Sequence, residues 1–121
     1  MEKKILVIDD SPTLRKILTH FLTKKGYFVF EANNGKKGLD YLLQEDFDLV
    51  ILDMMMPVMD GMAVLKELRN KKNFNTPIMI LSADKDKEKV KEGLDLGAKY
   101  YMYKPFKPYD IVEKIEKIFG K

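Results

Sequence analysis

The stretch LVILDMMMPVMDG, residues 49–61, ends an apolar run with an aspartate and continues into three methionines and a turn between Pro57 and Gly61. The four residues before Asp53 are all apolar, which is typical of a central strand that is covered on both faces. A carboxylate at the end of such a strand costs free energy unless another group pairs with it or uses it. The fold must therefore bring other functional groups beside Asp53.

The rest of the chain alternates short apolar runs with segments of helical period. The strand candidates are KILVI (4–8), YFVFEA (27–32), DLVIL (48–52), PIMIL (77–81) and KYYMY (99–103). This alternation predicts an α/β fold, a doubly wound three-layer sandwich in which a parallel five-stranded sheet carries helices on both faces. The first, third and fourth runs are continuously apolar and fit central strands, whereas the second and fifth are more mixed and fit edges.

Helix signals separate the strand candidates. Ser11 is a good N-cap, Pro12 suits the first helical position, and Gly26 supplies a stop. We expect a second helix over 36–44, a third over 62–71 and a fifth after Pro108. The fourth, within KDKEKVKEGLDLG (85–97), is poor in apolar residues and interrupted by Gly93. The side chains expected to face inward are Leu14, Ile17, Leu18, Phe21, Leu22, Leu39, Leu42, Leu43, Val64, Leu65, Leu68, Ile111, Val112, Ile115 and Ile118.

Composition narrows the function classes. The 121 residues predict one domain over 1–121, and the 45% hydrophobic and 34% charged fractions are those of a soluble globular protein. The charge of +3 is small and the lysines form no dense run, so direct nucleic-acid binding is not expected. The chain has no cysteine, and its first apolar run is too short for a signal peptide or membrane span. We expect a cytoplasmic protein without membrane insertion.

Polar residues follow four of the strand candidates. Asp9 and Asp10 come after the first, Asp53 after the third and Ser82 after the fourth, while Lys104 stands near the end of the fifth. An aspartate pair or a serine alone is ordinary in a turn, but the carboxyl ends of parallel strands meet at one rim. Two carboxylates about 4 Å apart repel by roughly 4 kcal/mol at an effective dielectric near 20. Three acids this close together therefore predict a bound cation. A site with oxygen ligands and few carboxylates favours magnesium as that cation.

A magnesium site at this rim indicates phosphoryl chemistry, because this ion binds carboxylates and phosphate oxygens together. An aspartate beside the metal can act as the nucleophile and form an acyl phosphate. Lys104 could then balance the charge of the incoming oxygens, and the Ser82 hydroxyl could donate to one of them.

Four ordered motifs, ILVIDD (5–10), LDMMMPVMDG (52–61), PIMILSA (77–83) and YMYKPF (101–106), cover nearly the whole chain. With them the sequence resembles the receiver domains of two-component response regulators. The resemblance implies the sheet order 2-1-3-4-5 and makes Asp53 the phosphoacceptor. It also implies that Asp10 binds magnesium directly, that Asp9 acts close to the metal through water, and that the Met55 backbone carbonyl is a further ligand.

The same resemblance assigns the other side of the rim. Ser82 would be the switch hydroxyl, Lys104 the phosphate-binding lysine and Tyr101 the aromatic residue that changes rotamer. It also implies a cis bond between Lys104 and Pro105. Since a bond to proline is trans by default, this expectation rests on the resemblance alone. Met55 and Asp84 stand where the family tunes phosphoryl lifetime.

The resemblance implies a phosphorylation-operated switch rather than a turnover enzyme. A sensor histidine kinase would phosphorylate Asp53, and the output surface would be the fourth helix, fifth strand and fifth helix. The kinase-docking hypothesis names Leu14, Leu18, Pro105 and Phe106. The chain stops at KIFGK (117–121), which predicts a stand-alone regulator that signals to a protein target or a phosphotransfer protein. Alternatively, it is the receiver fragment of a larger DNA-binding regulator; a monomer and a phosphorylation-dependent homodimer are both open.

Two other functions start from the same residues. A haloacid dehalogenase-like phosphatase also uses an aspartyl phosphate, but it needs a second aspartate two residues further on, where this chain has Met55. A flavodoxin-like mononucleotide binder needs a hydroxyl- and glycine-rich loop after the first strand, where the chain has two aspartates. His20 suggests a phosphohistidine, but a solvated helix position explains it better.

Overall fold

Each strand of the protein is followed by a helix that returns the chain to the start of the sheet. The computed structural model describes residues 2–71, 73–83 and 87–120. Within them the elements are β1 (Lys4–Ile8), α1 (Pro12–Lys24), β2 (Phe28–Ala32), α2 (Gly35–Gln44), β3 (Leu49–Asp53), α3 (Gly61–Arg69), β4 (Ile78–Ala83), α4 (Lys87–Asp95), β5 (Tyr100–Lys104) and α5 (Pro108–Ile118). The predicted alternation of five strands and five helices is confirmed for these residues.

The five strands form one parallel sheet in the order β2-β1-β3-β4-β5. The doubly wound α/β fold and its strand order are therefore confirmed, with β2 and β5 at the edges as predicted. The order reverses between β1 and β3, where Ile8 lies opposite Leu52. Ligands of open α/β sheets bind at such a reversal, beyond the carboxyl ends of the strands.

The two faces of the sheet are covered by different helices. Alternate residues of β1 point to opposite faces, so Leu6 and Ile8 pack with α2, α3 and α4 while Ile5 and Val7 pack with α1 and α5. The larger buried residues of the first core include Leu6, Ile8, Leu52, Leu65 and Ile80, and those of the second include Ile5, Leu18, Leu22, Ile51 and Ile115. Because both faces of the sheet are packed by apolar cores, the strands are held in place, and so are the polar residues at their carboxyl ends.

Local capping sets the helix boundaries. The Ser11 hydroxyl accepts from the Leu14 amide at 3.2 Å, and Gly26 has φ +92°, so both predicted ends of α1 are confirmed. α2 and α3 each begin one residue earlier than predicted, because Asn34 and Asp60 cap their first turns. α3 ends at Arg69 rather than residue 71.

Three predictions about helix packing were wrong. Phe21 and Leu43 were expected to face inward, but both are exposed, Leu43 at 67%. Each is next to a leucine that reaches the sheet, and a rotation of about 100° per residue carries it off the buried stripe. Gly93 does not interrupt α4 but lies buried within it, where an added Cβ would come 2.8 Å from Ile80 Cδ1. It lets α4 approach β4 closely.

No helix in the described ranges is long and apolar enough to cross a membrane.

Candidate functional site

The three predicted acids meet at the rim where the strand order reverses. Asp53 is the last residue of β3, and Asp9 and Asp10 follow β1 on the neighbouring strand. Each offers a carboxylate oxygen, and these three oxygens lie within 4.8 Å of one another. Asp9 and Asp53 are buried, whereas Asp10 is exposed. The rim is therefore a compact cluster of oxygen ligands that is open to solvent on the Asp10 side.

Lys104 supplies the positive charge of the cluster. It ends β5, and its Nζ lies 3.2 Å from Asp9 Oδ2 and 3.4 Å from Asp53 Oδ1. One ammonium among three carboxylates leaves a formal charge of −2 when all groups are ionised. Since like charges at such distances disfavour each other, the rim has capacity for a divalent cation.

Asp9 and Asp10 differ in how their carboxylates are engaged. Asp9 Oδ1 accepts from the Ser11 amide at 2.9 Å, and Oδ2 accepts from Lys104 at 3.2 Å. In contrast, no hydrogen bond or ion pair among the described residues engages the Asp10 carboxylate. Asp10 is thus the better direct ligand for a metal, and Asp9 the better positioned second acid.

The environment of Asp53 changes its acidity. Burial, and then the nearby Asp9 carboxylate, raise the pKa of Asp53 to about 6, against the opposing effects of Lys104 and of the Met55 amide. That amide donates to Asp53 Oδ1 at 3.3 Å. With a pKa near 6, Asp53 is mostly ionised at neutral pH and can act as a nucleophile.

Ser82 lies beside this group but within a strand. It was predicted to follow β4, and instead β4 continues through Ala83 because Ser82 pairs with Tyr103 and Ala83 with Lys104. The Ser82 hydroxyl is buried, and its oxygen has no hydrogen-bond partner among the described residues. An unpaired buried hydroxyl costs roughly 1–3 kcal/mol. Such a group is ready to donate to a new acceptor.

Tyr101 does not contact the acidic cluster. Its ring is exposed, packs edge-on against Tyr103 at 5.2 Å between centroids, and lies 5.3 Å from the Lys114 ammonium. It faces α5 at the edge of the sheet.

The predicted docking residues are only partly brought together. Leu14, Lys104, Pro105 and Phe106 line an open cavity of about 350 Å³, and the Lys104–Pro105 bond is cis, as predicted. Leu18, however, is 0% exposed in the core, so its assignment to a docking surface was wrong. The Leu18 side chain packs against the sheet, whereas Leu14, one helical turn earlier, lines the open cavity.

Two residues near the rim were missed. Arg15 donates from Nη1 to the Asp9 carbonyl at 2.7 Å and pairs with Glu31 at 3.2 Å, and its place in the first turn after Asp9 was the only available signal. Lys89 donates from Nζ to Met55 Sδ at 3.1 Å. Nothing in the sequence pattern pointed to that contact. Asp84, the other predicted lifetime residue, lies outside the described residues, and His20 is exposed as predicted.

Comparison with known proteins identifies the family. A family model described as the response regulator receiver domain matches residues 5–116. The chain belongs to this family. It is 39% identical over 117 residues to response regulator GtcR of Aneurinibacillus migulanus, covering 96% of this chain and 47% of that protein. It is 39% identical over 121 residues to the alkaline phosphatase synthesis transcriptional regulatory protein PhoP of Bacillus subtilis, covering 100% of this chain and 50% of that protein.

Among solved structures, chemotaxis response regulator CheY4 of Vibrio cholerae superposes with a TM-score of 0.90 at 33% identity. The match covers 98% of this chain and 99% of that one. The chain spans about half the length of the curated relatives it matches. Receiver domains are phosphoacceptor switches that bind magnesium at an acidic pocket and work with sensor histidine kinases, so membership favours this function over the phosphatase and nucleotide-binding alternatives.

Proposed function

We propose that the whole chain, residues 1–121, is one receiver domain whose Asp53 accepts a phosphoryl group from a sensor histidine kinase in a magnesium-dependent reaction. The observation that carries this proposal is the buried Asp53 carboxylate, 3.4 Å from Lys104 and clustered with two further acids. The proposal keeps the cytoplasmic location that the sequence predicts. It includes slow self-catalysed loss of the phosphoryl group, but no turnover of a separate substrate.

The donor set fits magnesium. All three side chains offer hard oxygen ligands, and one divalent cation would neutralise the formal charge of −2 that they and Lys104 leave. Asp10 and Asp53 would hold the ion with the Met55 backbone carbonyl, and Asp9 would act through water because both its oxygens already accept hydrogen bonds. Bound magnesium would neutralise charge on the acids and on the incoming phosphoryl oxygens.

The transfer itself is a substitution at phosphorus. A lone pair of an Asp53 oxygen forms the new O–P bond, and the P–N bond of the kinase phosphohistidine breaks with its electron pair on the departing imidazole. The Lys104 ammonium lies 3.4 Å from the attacking carboxylate and is placed to pair with a phosphoryl oxygen. Burial keeps this ion pairing strong.

The switch then uses the new charge. The phosphoryl group carries roughly 1.5 to 2 negative charges, which replace the single charge of the Asp53 carboxylate. A shift from 1:99 to 99:1 between two conformations needs about 5.5 kcal/mol of differential interaction. A hydrogen bond from Ser82, whose hydroxyl has no described partner, would supply part of this, and the tighter pairing of Lys104 would supply more. We expect the Tyr101 side chain to change rotamer in response, which would alter the surface beside α5.

Partner surfaces follow from the same arrangement. The proposed kinase-docking surface is the edge formed by exposed Pro105 and half-buried Leu14 and Phe106, now without Leu18. The output surface is formed by α4, β5 and α5, and its reader is a protein target or a phosphotransfer protein. The similarity to PhoP, a transcriptional regulatory protein, favours a second possibility, in which the domain belongs to a DNA-binding regulator. Monomer and phosphorylation-dependent homodimer are both compatible with the proposal.

The test is intact-mass spectrometry after incubation with acetyl phosphate, with and without magnesium. We expect one phosphoryl increment that requires magnesium and is absent in Asp53→Asn. Asp60→Asn is the matched control, because Asp60 lies in the same loop and asparagine can also cap α3. An increment that persists in Asp53→Asn, or no increment in the wild type, would refute the proposal.

A further inference from the structure

Lys89 holds a position beside the phosphoacceptor that no function yet uses. It lies in the first turn of α4, and its Nζ donates to Met55 Sδ at 3.1 Å. Met55 is 56% exposed, and its own amide contacts Asp53. A thioether is a weak hydrogen-bond acceptor, so an ammonium gives up this contact readily when an anion becomes available.

Lys89 is also uncommitted among the residues that the structure describes. It forms no ion pair with them, although α4 carries Glu88, Glu92 and Asp95. In contrast, Lys104 is already shared between Asp9 and Asp53. The cluster thus has one committed cation, and a second ammonium lies against the side chain of Met55, whose amide contacts Asp53.

Phosphorylation would change this balance. Phosphorylation turns the Asp53 carboxylate into an uncharged acyl group bearing a phosphoryl group of roughly 1.5 to 2 negative charges, so that with Asp9 and Asp10 the rim would carry about 3.5 to 4. A divalent ion and Lys104 together offer three positive charges against this larger number. The excess negative charge would face solvent on the side of Met55, where the Lys89 ammonium lies.

We propose that Lys89 is a second phosphoryl-binding cation, which leaves the Met55 thioether and pairs with a phosphoryl oxygen on Asp53. This inference rests on the proposed function. It gives α4 a direct contact with the modified residue. Val90, the next residue, is buried, and Gly93 lies one turn further on against Ile80. Movement of Lys89 toward the rim would therefore shift the packed side of α4.

The first test uses beryllofluoride as a phosphoryl mimic at saturating magnesium. Its binding is measured by titration calorimetry for the wild type, Lys89→Gln, Lys89→Arg and Lys91→Gln. Lys91 is an exposed lysine of the same helix with no contact to Met55, so its variant matches the change in net charge. We expect Lys89→Gln to weaken binding about 5-fold, the upper end for one charge pair at a surface. Lys91→Gln should stay within about 2-fold, and Lys89→Arg should restore most of the affinity.

The second test follows the ammonium itself. Limited acetylation with an amine-reactive ester, read by peptide mass spectrometry, should show Lys89 protected several-fold by beryllofluoride and Lys91 unchanged. Asp53→Asn should abolish the protection. Equal effects of the two glutamine variants, or unprotected Lys89, would overturn this inference alone. If beryllofluoride does not bind the wild type, the proposed function itself fails.

Discussion

Removing the charge of Asp53 should stabilise the metal-free protein. The pKa of this carboxyl is raised from 3.8 to about 6 in the folded chain, first by burial and then by Asp9. A raised pKa means that the folded state binds the proton more tightly than the unfolded chain does. The folded state is therefore penalised once the pH exceeds the unfolded value, and the penalty is complete above the folded value.

The size of this effect follows from the shift. A change from 3.8 to about 6 corresponds to about 3 kcal/mol at pH 7.5, since each pKa unit is worth about 1.4 kcal/mol. The value already contains the attraction of Lys104, so it is a net penalty. Asparagine has nearly the same shape and no charge. Asp53→Asn should thus raise the free energy of unfolding by about 3 kcal/mol at pH 7.5.

The pH profile separates this cause from ordinary packing effects. At pH 4.5 the folded carboxyl is protonated and only the unfolded one is ionised, so the advantage of asparagine should be smaller by about 2 kcal/mol than at pH 7.5. The assay is urea denaturation of both proteins at pH 4.5, 5.5, 6.5 and 7.5 in the presence of a chelator. Magnesium at pH 7.5 should stabilise the wild type more than the variant, because ion binding favours the folded state.

Three results would refute this reasoning. Asp53→Asn could be less stable than the wild type at pH 7.5, or its advantage could be the same at pH 4.5 and 7.5. Asp60→Asn, on an exposed cap, could show the same pH profile. In each case the burial of an ionised Asp53 would not be the source of the difference.

Three further changes test other parts of the structure. Val58→Gly should raise the free energy of unfolding by about 1 kcal/mol, seen as a higher urea midpoint, because Val58 has φ +69° and is 80% exposed. Gly61→Ala should lower stability by about 2 kcal/mol or more, since its Cβ would come 2.5 Å from the Asp53 carbonyl oxygen; a thermal melt detects this. Ser82→Ala should stabilise the unphosphorylated protein by about 1 kcal/mol yet weaken beryllofluoride binding, as paired melts and titrations would show.

The residues of the rim could be predicted from the sequence because a parallel strand arrangement determines which residues lie at the strand ends. Once five strands are parallel, their carboxyl ends must share an edge, so Asp9, Asp53 and Lys104 could be brought together from spacing alone. The sheet order and the cis bond depended on family resemblance. These features involve choices, such as which strand lies beside β1, that apolar periodicity leaves open.

Side-chain contacts between segments that are distant in the sequence could not be predicted from strand topology or helical period. The contact of Lys89 with Met55 joins residues 34 positions apart, both in polar or mixed stretches without a period. The docking role given to Leu18 was wrong for a different reason. It conflicted with the helical period, which correctly placed Leu18 among the inward-facing residues, and packing against the α5 side of the sheet buries Leu18 while Leu14 stays half-buried.

The rim is therefore a place where folding and function oppose each other. Asp53 is buried with a raised pKa, and Ser82 is buried without a described partner, so both weaken the unphosphorylated fold. The apolar cores on the two faces of the sheet tolerate this loss. A cation and a phosphoryl group would relieve both deficits at once, since one neutralises the carboxylates and the other gives the hydroxyl an acceptor. Part of the free energy for switching would then come from relieving these two deficits, so a variant that removes one of them, such as Ser82→Ala, should switch less completely.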